Sequence, residues 1–325
     1  MHTRGFKIFL VLIVLFCAAL LKFRTNNQKA LLPADTLPDE FVVVLGVAQD
    51  AGYPQLGCTG ECCDVYWKGK EAKKLVTCLA LVDRPAQKYW LIEATPDITT
   101  QLKNLQPLLP VKTDYSPDGI FITHAHIGHY SGLLQFGREA MGANAIPVFA
   151  LPRMDSFLRD NGPWSQLVQL KNIALKEMKE DSTVSLTPNL RITPWKVPHR
   201  DEFSETAGFV ISSGTKKILF IPDIDKWEKW ERDIKELVNE FSVVLIDGTF
   251  YKNGELPGRD MTEVPHPFVE ETARLMAGLP DTVRAKIHFI HFNHTNPLIR
   301  KTAKEKDQVR AAGFNVAEEG MIFKL

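Results

Sequence analysis

The sequence predicts an α/β fold of the αββα type, in which two mixed β-sheets stack on each other and helices cover their outer faces. Two observations support this prediction. Apolar segments of strand length recur along the chain and outnumber the segments with helical periodicity. The predicted helices are interspersed among the strands, which favours two covered sheets over a single parallel sheet. A sandwich can occupy most of the 325 residues as one domain.

The N-terminus precedes this domain with an uncharged apolar run at residues 8–21, which follows Arg4 and Lys7. The run is shorter than the roughly 20 residues of a membrane-spanning helix but suits the apolar region of a signal peptide. A buried core helix is disfavoured because the run has no polar face. We therefore predict export to the periplasm or the extracellular space, with the segment either cleaved or kept as a membrane tether. The predicted organisation is a signal peptide or N-terminal membrane anchor at 1–24, a linker at 25–39 and the sandwich domain at 40–325.

The elements of the domain are predicted from the length and pattern of their apolar residues. Residues 41–46 (FVVVLG) form a continuous apolar run that ends in glycine, as is typical of a buried strand. The runs at 77–82 and 89–93 have the spacing of a hairpin, and GIFIT at 119–123 is a further buried strand. The other predicted strands lie at 191–197, 207–212, 217–221, 242–246 and 287–291, and the predicted helices at 97–105, 132–141 and 267–276.

The composition excludes some classes of function. Lys and Arg together number 39, as do Asp and Glu, so the net charge is zero and nothing indicates a nucleic-acid partner, which requires clustered cations. Five cysteines are too few for a disulfide scaffold in a chain of this length. We expect a small-molecule substrate and membrane contact only through the N-terminal segment, whereas the sequence does not determine the oligomeric state.

A group of three histidines follows the predicted strand at 119–123. His124 and His126 are two residues apart on an extended segment, and His129 comes where the chain turns into a helix. Such histidines cannot all enter a core without polar partners. Because neutral imidazoles are common ligands of zinc and similar ions, the cluster predicts a metal site at the end of this strand.

The segment HAHIGHYSGL, placed after an apolar strand, resembles the HxHxDH signature of the metallo-β-lactamase superfamily. Further motifs follow in the order that this superfamily shows: VPH ending at His199, FIPD ending at Asp223, and HFNH at 291–294. Matching elements extend from about residue 41 to the C-terminus. The resemblance implies the metallo-β-lactamase αββα sandwich as the fold of the domain.

Two branches of the superfamily are most similar to this sequence. GVAQDAGYPQ at 46–55 and HFNHTNP at 291–297 resemble segments of the pyrroloquinoline-quinone biosynthesis B proteins. The cysteines after the first strand and the paired histidines near the end are similar to those of the cyclic phosphodiesterases of phosphonate metabolism. The resemblance therefore leaves two kinds of chemistry open.

The resemblance also implies a set of metal ligands. The first metal would be held by His124, His126 and His199, Asp223 would bridge, and His129 and His291 would bind the second metal. The expected cofactor is zinc, as one or two ions, with iron or manganese as alternatives. Asp223 would also belong to the catalytic machinery, since it bridges the ions.

One position departs from the superfamily pattern: Gly128 stands where an aspartate serves the second metal and orients its water. A site without this anionic oxygen would bind its ion weakly, so an aspartate restored at position 128 is expected to tighten the binding. Asp50, in a loop expected near the same mouth, is a candidate replacement. Capping of the turn before Gly52 is an equally consistent role for Asp50.

A second cluster consists of Cys58, Cys62 and Cys63, together with His294. In the similar phosphodiesterases the corresponding cluster holds a structural zinc, and a closed four-ligand site stabilises a fold without binding substrate. The CxxxCC spacing differs from that of the phosphodiesterases, which leaves open whether both adjacent cysteines bind. A disulfide between Cys62 and either Cys58 or Cys63 is the alternative.

His266 is the remaining candidate for catalysis, because it precedes the predicted helix at 267–276 as a helper histidine does in related branches. It would donate a proton to the leaving group, with a pKa lowered by the helix N-terminus; capping of the helix is the alternative. Asp247 and Glu93 follow strands and are candidates for orienting liganding histidines.

Together these features predict a metal-dependent hydrolase of a phosphodiester or related ester. A metal lowers the pKa of its bound water to near 7, and the resulting hydroxide would attack the ester. One alternative is a metal-dependent oxidoreductase similar to the quinone-cofactor B proteins, since a set of histidines and a carboxylate with open positions also suits iron. The other is a non-catalytic metal-binding homologue.

Overall fold

The computed structural model describes residues 37–109 and 115–325, and the fold described below is that of the compact unit Pro38–Leu325. The predicted signal peptide or anchor, and nearly all of the predicted linker, lie outside the described residues. Among the residues that are described, no helix is both long and apolar enough to cross a membrane.

The first sheet contains the strands that begin and end the domain. Along the sheet the order is β14-β1-β2-β3-β4-β5-β6. β1 pairs antiparallel with β14 and β2, and β2 pairs antiparallel with β3, whereas β3, β4, β5 and β6 are parallel. These strands are β1 Glu40–Gly46, β2 Cys78–Asp83, β3 Lys88–Ile92, β4 Gly119–Phe121, β5 Ile146–Ala150, β6 Ile173–Glu177 and β14 Ile322–Lys324.

The second sheet has the order β13-β12-β11-β10-β9-β8-β7. Here β7, β8, β9 and β10 are antiparallel neighbours, and β10, β11, β12 and β13 are parallel. The strands are β7 Val184–Ser185, β8 Leu190–Val197, β9 Thr206–Ser213, β10 Lys216–Ile221, β11 Val243–Asp247, β12 Ile287–Ile290 and β13 Asn315–Val316. Both sheets are therefore mixed, as predicted.

The two sheets pack face to face over a shared apolar core. One cluster of buried side chains includes Leu79 and Phe121 from the first sheet together with Phe209 and Leu245 from the second. The rings of Phe121 and Phe209 meet edge to face, with 5.8 Å between their centroids. Strands with continuous apolar runs supply this core because both of their faces are buried.

Helices connect the strands and cover the first sheet on its other side. Buried side chains such as Leu105, Met154 and Leu167 lie outside the cluster between the sheets. The predicted αββα sandwich is confirmed. The helices are α1 Glu61–Trp67, α2 Ile98–Leu105, α3 Ile127–Tyr130, α4 Pro152–Asp160, α5 Trp164–Gln169, α6 Ile234–Leu237, α7 Val269–Leu275, α8 Asp281–Arg284 and α9 Lys304–Ala311.

The helix predicted at 132–141 is wrong. The chain forms the short helix α3, then a 3-10 helix at Ser131–Phe136, and then turns. Gly132 packs backbone against backbone here: its N–H donates to the carbonyl of Ala94 at 2.8 Å, and a Cβ atom on Gly132 would lie 2.1 Å from the carbonyl oxygen of Thr95. This close approach to a neighbouring loop replaces the regular α-helical hydrogen bonds.

The directions of the strands determine at which edge of the sandwich the candidate functional residues lie. β8 runs parallel to β10 because the antiparallel β9 lies between them, and β1 runs parallel to β3 for the same reason. The carboxyl ends of the site-bearing strands therefore open toward one edge of the sandwich. In α/β proteins this is the edge at which ligands bind.

Candidate metal centre

Each predicted ligand follows the carboxyl end of a strand. His124 and His126 follow β4, His199 follows β8, Asp223 follows β10 and His291 follows β12 directly. The local chain leaves the sheet at these points, so the side chains turn toward the common edge of the sandwich. Residues that are far apart in the sequence thus converge within one region.

The first group of side chains comprises His124, His126, His199 and Asp223, whose ligand atoms all lie within 4.8 Å of one another. The Nε2 atom of His124 is 3.6 Å from Oδ2 of Asp223, and Nε2 of His199 is 3.8 Å from Oδ1. Two ligand atoms at about 2.1 Å from one tetrahedral ion are about 3.4 Å apart. The spacing of the group therefore suits a metal ion.

The second group comprises His129, His291, Asp223 and Asp50, again within 4.8 Å. Nε2 of His129 is 3.0 Å from Oδ2 of Asp223, and Nε2 of His291 is 3.3 Å from the same oxygen. Asp50 Oδ1 is 2.9 Å from Nε2 of His129 and 3.4 Å from Nε2 of His291. Asp223 belongs to both groups, which is the position expected of a bridging carboxylate.

Most of the potential metal-ligand atoms at the centre make no hydrogen bonds within the described part of the chain. Nε2 of His124, His129, His199 and His291, both carboxylate oxygens of Asp223, and Oδ1 of Asp50 are buried without a hydrogen-bond partner there. Buried polar atoms without partners are costly, and so many at one place point to a missing ligand. The residues present therefore fit the metal that the resemblance implies.

The charge states of the groups agree with cation binding. Burial lowers the pKa of His124 well below its ordinary value, and burial lowers the pKa of His199 to about 4. Both imidazoles are thus neutral, which is the form that binds metals. Burial alone would also lower the pKa of His129, but Glu93 and Asp50 raise it well above its ordinary value. The carboxylates around His129 favour a positive charge there, which a metal ion would equally supply.

Neighbouring side chains orient the histidines of the second group. Glu93 Oε1 lies 3.2 Å from Nδ1 of His129, and the hydroxyl of Thr249 lies 3.0 Å from Nδ1 of His291. Their Nε2 atoms therefore remain available to the centre. The backbone of His291 has a φ of 67°, a left-handed conformation that is unusual outside glycine and is found at functional sites.

Asp50 is half-buried, and its Oδ1 atom is buried on the side of the loop that faces the histidines. Burial alone would raise the pKa of its carboxyl, but His129 and His291 hold it well below the ordinary value. The carboxylate is therefore ionised and adds a second anionic oxygen near His129 and His291.

His266 pairs with Asp247 at the border of the centre. The distance from Nδ1 to Oδ2 of Asp247 is 2.8 Å, and Oδ1 of Asp223 is 3.4 Å from the same nitrogen. Burial alone would lower the pKa of His266, but Asp247 and Asp223 raise it above its ordinary value. The expectation of a lowered pKa is therefore wrong, because two buried carboxylates outweigh the helix N-terminus.

The structure also excludes the capping alternative for His266. Helix α7 has Phe268 as its N-cap residue, and the carboxylate of Glu271 accepts the Phe268 N–H at 2.9 Å. Asp247 thus faces His266, and with Asp223 the two residues form a further group whose ligand atoms lie within 4.8 Å of one another, whereas Glu93 faces His129, a predicted metal ligand. With Nδ1 bonded to Asp247, Nε2 is the nitrogen of His266 that can meet a substrate.

Arg200 is a residue of the centre that the sequence analysis missed. Its side chain is about half exposed, and its Nη2 atom lies 3.1 Å from Nε2 of His126. An exposed arginine can move aside when His126 binds a metal. The signal for Arg200 was only its position next to His199, which does not distinguish it from other surface arginines.

The second cluster also forms in the structure and is separate from the first. Cys58, Cys62, Cys63 and His294 place one ligand atom each within 4.8 Å of one another, so both adjacent cysteines belong to it. The thiols are free, with 3.4 Å between the sulfurs of Cys58 and Cys62, and Nδ1 of His294 is buried without a partner in the described residues. A disulfide in this cluster is not observed. Three sulfurs and one imidazole suit a soft ion such as zinc.

The sequence matches a known family and known relatives. A family model described as "Beta-lactamase superfamily domain" matches residues 89–292. Coenzyme PQQ synthesis protein B of Methylorubrum extorquens (strain PA1) is 25% identical over 309 residues, which cover 87% of this chain and 99% of that protein.

Solved structures show the same fold. The Zn(2+)-bound PqqB from Methylobacterium extorquens has a TM-score of 0.74 at 22% sequence identity, and the match covers 88% of this chain and 100% of that chain. A diphosphatase from the PhnP family has a TM-score of 0.61 at 19% identity, with 87% and 96% of the two chains covered. These likenesses concern the arrangement of the two sheets and their helices.

Proposed function

Because this chain belongs to the beta-lactamase superfamily, we propose that it is a hydrolase that uses two adjacent metal ions to cleave a phosphodiester or a related ester. One observation carries the proposal. Asp223 Oδ2 lies near His129 and His291, while Asp223 Oδ1 lies near His199. A carboxylate that serves two sets of donors is what two neighbouring ions require, and paired ions are typical of phosphoester hydrolysis.

The side chains around the centre have different roles in the proposed reaction. Bound metal would supply Lewis-acid polarisation of the ester and a water activated at neutral pH. Asp223, which belongs to both groups of ligand atoms, would help to hold metal at both positions. His266 donates the proton that the leaving oxygen takes up when its bond to phosphorus breaks, and the new bond to phosphorus comes from the oxygen of water. The carboxylate of Asp247 faces Nδ1 of His266 and favours the protonated imidazole, so that the N–H of Nε2 is the donor left for the substrate.

Arg200 supports an anionic substrate. Its guanidinium lies at the exposed side of the centre, beside His126. A planar guanidinium binds phosphate oxygens with two parallel hydrogen bonds. Its partner in the structure, the exposed carboxylate of Glu202 at 3.8 Å, forms a weak surface pair that a phosphate can replace.

A substrate panel tests the proposal. Protein loaded with zinc or manganese is expected to hydrolyse bis(p-nitrophenyl) phosphate and a cyclic phosphodiester faster than neutral carboxylic esters, and chelation should remove this activity. The release of nitrophenolate and of phosphomonoester measures turnover. Absence of turnover on every ester, by protein whose metal content is verified, would overturn the hydrolase proposal.

A second candidate function is a metal-dependent oxidoreductase, and the likeness to Coenzyme PQQ synthesis protein B across 87% of the chain favours it. Iron loading distinguishes the two candidates. A hydrolase cleaves esters without consuming O2, whereas an oxidoreductase with bound Fe(II) would consume O2 when it is given its substrate. Oxygen uptake on quinone precursors, without ester turnover, would favour this second function.

The cysteine cluster is proposed to hold a structural zinc. Replacement of Cys58 by serine is expected to remove one zinc per chain and to lower the thermal unfolding temperature, because an ion that binds only the folded state stabilises it. The expected loss is about 4 kcal/mol when zinc is present at roughly 1,000 times its Kd. Elemental analysis and thermal unfolding measure the two effects.

Cys78→Ser is the matched control. Cys78 is also a free thiol, but it is buried on β2 with its sulfur 3.6 Å from the carbonyl oxygen of Glu93, outside the cluster. The Cys78→Ser variant should change the stability of the protein without changing its zinc content. Unchanged zinc in Cys58→Ser, with the remaining cysteines oxidised, would show that the cluster forms disulfides instead.

A further inference from the structure

The loop after β1 brings a carboxylate into the second half of the metal centre. We propose that Asp50 is the carboxylate ligand of the second metal position, and that Gly128 is required because a side chain there would displace Asp50. The inference rests on the proposed metal-dependent function, and it names the source of an anionic oxygen that the histidine motif of this chain lacks.

The space around Gly128 is the first argument. A Cβ atom on Gly128 would lie 2.3 Å from the Cα atom of Asp50 and 2.9 Å from its carbonyl oxygen, whereas real Cβ atoms essentially never approach closer than 3.0 Å. Both atoms belong to the backbone, so no rotation of a side chain relieves the contact. Gly128 lies in helix α3 and is not among the left-handed glycines, so it is needed for space and not for conformation.

The arrangement of donors is the second argument. Asp50 Oδ1 lies 2.9 Å and 3.4 Å from Nε2 of His129 and of His291. Asp223 Oδ2 lies 3.0 Å and 3.3 Å from the same two nitrogens. Two carboxylate oxygens therefore flank two imidazole nitrogens almost symmetrically. Ligand atoms about 2.1 Å from one ion and at right angles to each other are about 3.0 Å apart, so the spacing suits a shared ion.

The turn-capping role is not observed. The turn is closed by the N–H of Gly52, which donates to the carbonyl of Gln49 at 2.7 Å. Oδ1 of Asp50 is buried and accepts no hydrogen bond from any residue that the structure describes. A capping carboxylate would accept a backbone N–H. Asp50 is instead directed at the histidines.

The loop that carries Asp50 is tied to the loop that carries His291. The N–H of Gln49 donates to the carbonyl of Phe292 at 2.8 Å, and the side chain of Asn293 donates to that of Gln49 at 2.6 Å. The N–H of Phe292 in turn donates to the carbonyl of Val47 at 2.7 Å. These bonds hold Asp50 and His291 in register, as the two ligands of one ion must be.

The arrangement reverses an expectation from the sequence. An aspartate at position 128 was expected to tighten the second site by restoring the superfamily pattern. In this structure its Cβ atom would collide with the Asp50 backbone. Gly128→Asp should therefore displace the loop that carries Asp50. The new carboxylate at position 128 would then replace that of Asp50 in a distorted site, so the second metal should not bind more tightly.

The test measures metal binding and not turnover. Asp50→Asn keeps the shape of the side chain but removes its charge, and it should leave one fewer ion per chain after dialysis, with affinity for that ion reduced at least 10–100-fold. Gly128→Ala adds only a methyl group and should cause the same loss. Elemental analysis and competitive metal titration give ion content and affinity, while circular dichroism and thermal unfolding in chelator establish that each variant folds.

Asp97→Asn is the matched control. Asp97 is a largely buried carboxylate near the loop that carries Asp50, and it accepts the N–H of Val76 at 3.0 Å. It lies outside both groups of metal-ligand atoms. It should lose stability but keep every ion. If folded Asp50→Asn binds all ions as tightly as the wild type, or Gly128→Asp binds them more tightly, the assignment of Asp50 is overturned while the hydrolase proposal stands. A wild type without any ion at the histidines would overturn both.

Discussion

Replacement of Asp223 by asparagine is expected to lower metal affinity at the histidine centre by roughly 10²–10⁴-fold and to reduce ester hydrolysis to the level of the metal-free protein. Asp223 is buried, and both of its oxygens face imidazole nitrogens without accepting a hydrogen bond from the described residues. Removal of one partner from a buried charge pair costs roughly 3–5 kcal/mol, and each 1.4 kcal/mol changes a binding constant about tenfold.

The same substitution should also lower the stability of the metal-free protein. Burial alone would raise the pKa of Asp223, but the surrounding histidines hold it well below its ordinary value, so the fold favours the ionised carboxylate. Asp223→Asn should therefore be less stable than the wild type at neutral pH when chelator is present, and it should gain little further stability when metal is added. Thermal unfolding with and without metal measures this difference.

Asp225→Asn provides the control, because Asp225 lies two residues away and pairs with Lys229 at 2.7 Å near the surface. This variant should keep both metal binding and the stabilisation by metal. If Asp223→Asn retains wild-type affinity for every ion, Asp223 does not bridge the two positions, and the proposal of two adjacent ions fails.

Replacement of His266 by alanine is expected to slow the hydrolysis of a phosphodiester with a poor leaving group by roughly 10²–10⁴-fold, the usual contribution of general acid catalysis. The neighbouring Asp247 and Asp223 raise the pKa of His266, so the imidazole carries the proton that an alkoxide leaving group needs. A nitrophenolate leaves without a proton, and its ester should lose far less activity. The ratio of the two kcat values is the measurement.

His288→Ala is the matched control for His266. His288 lies on β12 with Nδ1 3.0 Å from the carbonyl oxygen of Lys286, outside the centre, and its replacement should affect both substrates little. Equal losses on both substrates in His266→Ala would assign His266 a structural role.

Asp247→Asn gives a second readout for His266. Asp247 raises the pKa of His266, and a general acid loses activity as the pH rises through its pKa. Without this carboxylate the pKa of His266 should fall, so activity on the poor leaving group should decline at a lower pH than in the wild type. An unchanged pH profile would argue against His266 as the acid.

Much of the fold could be predicted from local patterns. Strands such as β1, β2 and β10 are buried on both faces, so their continuous apolar runs are visible in the sequence. The edge strands β6, β7, β13 and β14 were missed, and so was β5, which lies between β4 and β6. β6 becomes exposed toward its end, and β13 has only two residues, so neither leaves a recognisable pattern. The supposed helix at 132–141 failed because the contact of Gly132 with a distant backbone overrode local propensity.

By itself, the sequence determined the sandwich and the histidines, Asp223 and cysteines of the two clusters, because strand patterns and motifs are local and because site residues follow the ends of strands. Only the tertiary structure decided that Asp50 faces His129 and His291, that Gly128 gives it room, and that two carboxylates raise the pKa of His266. Space and electrostatic fields depend on residues that meet only after folding, and no spacing along the chain records those distances.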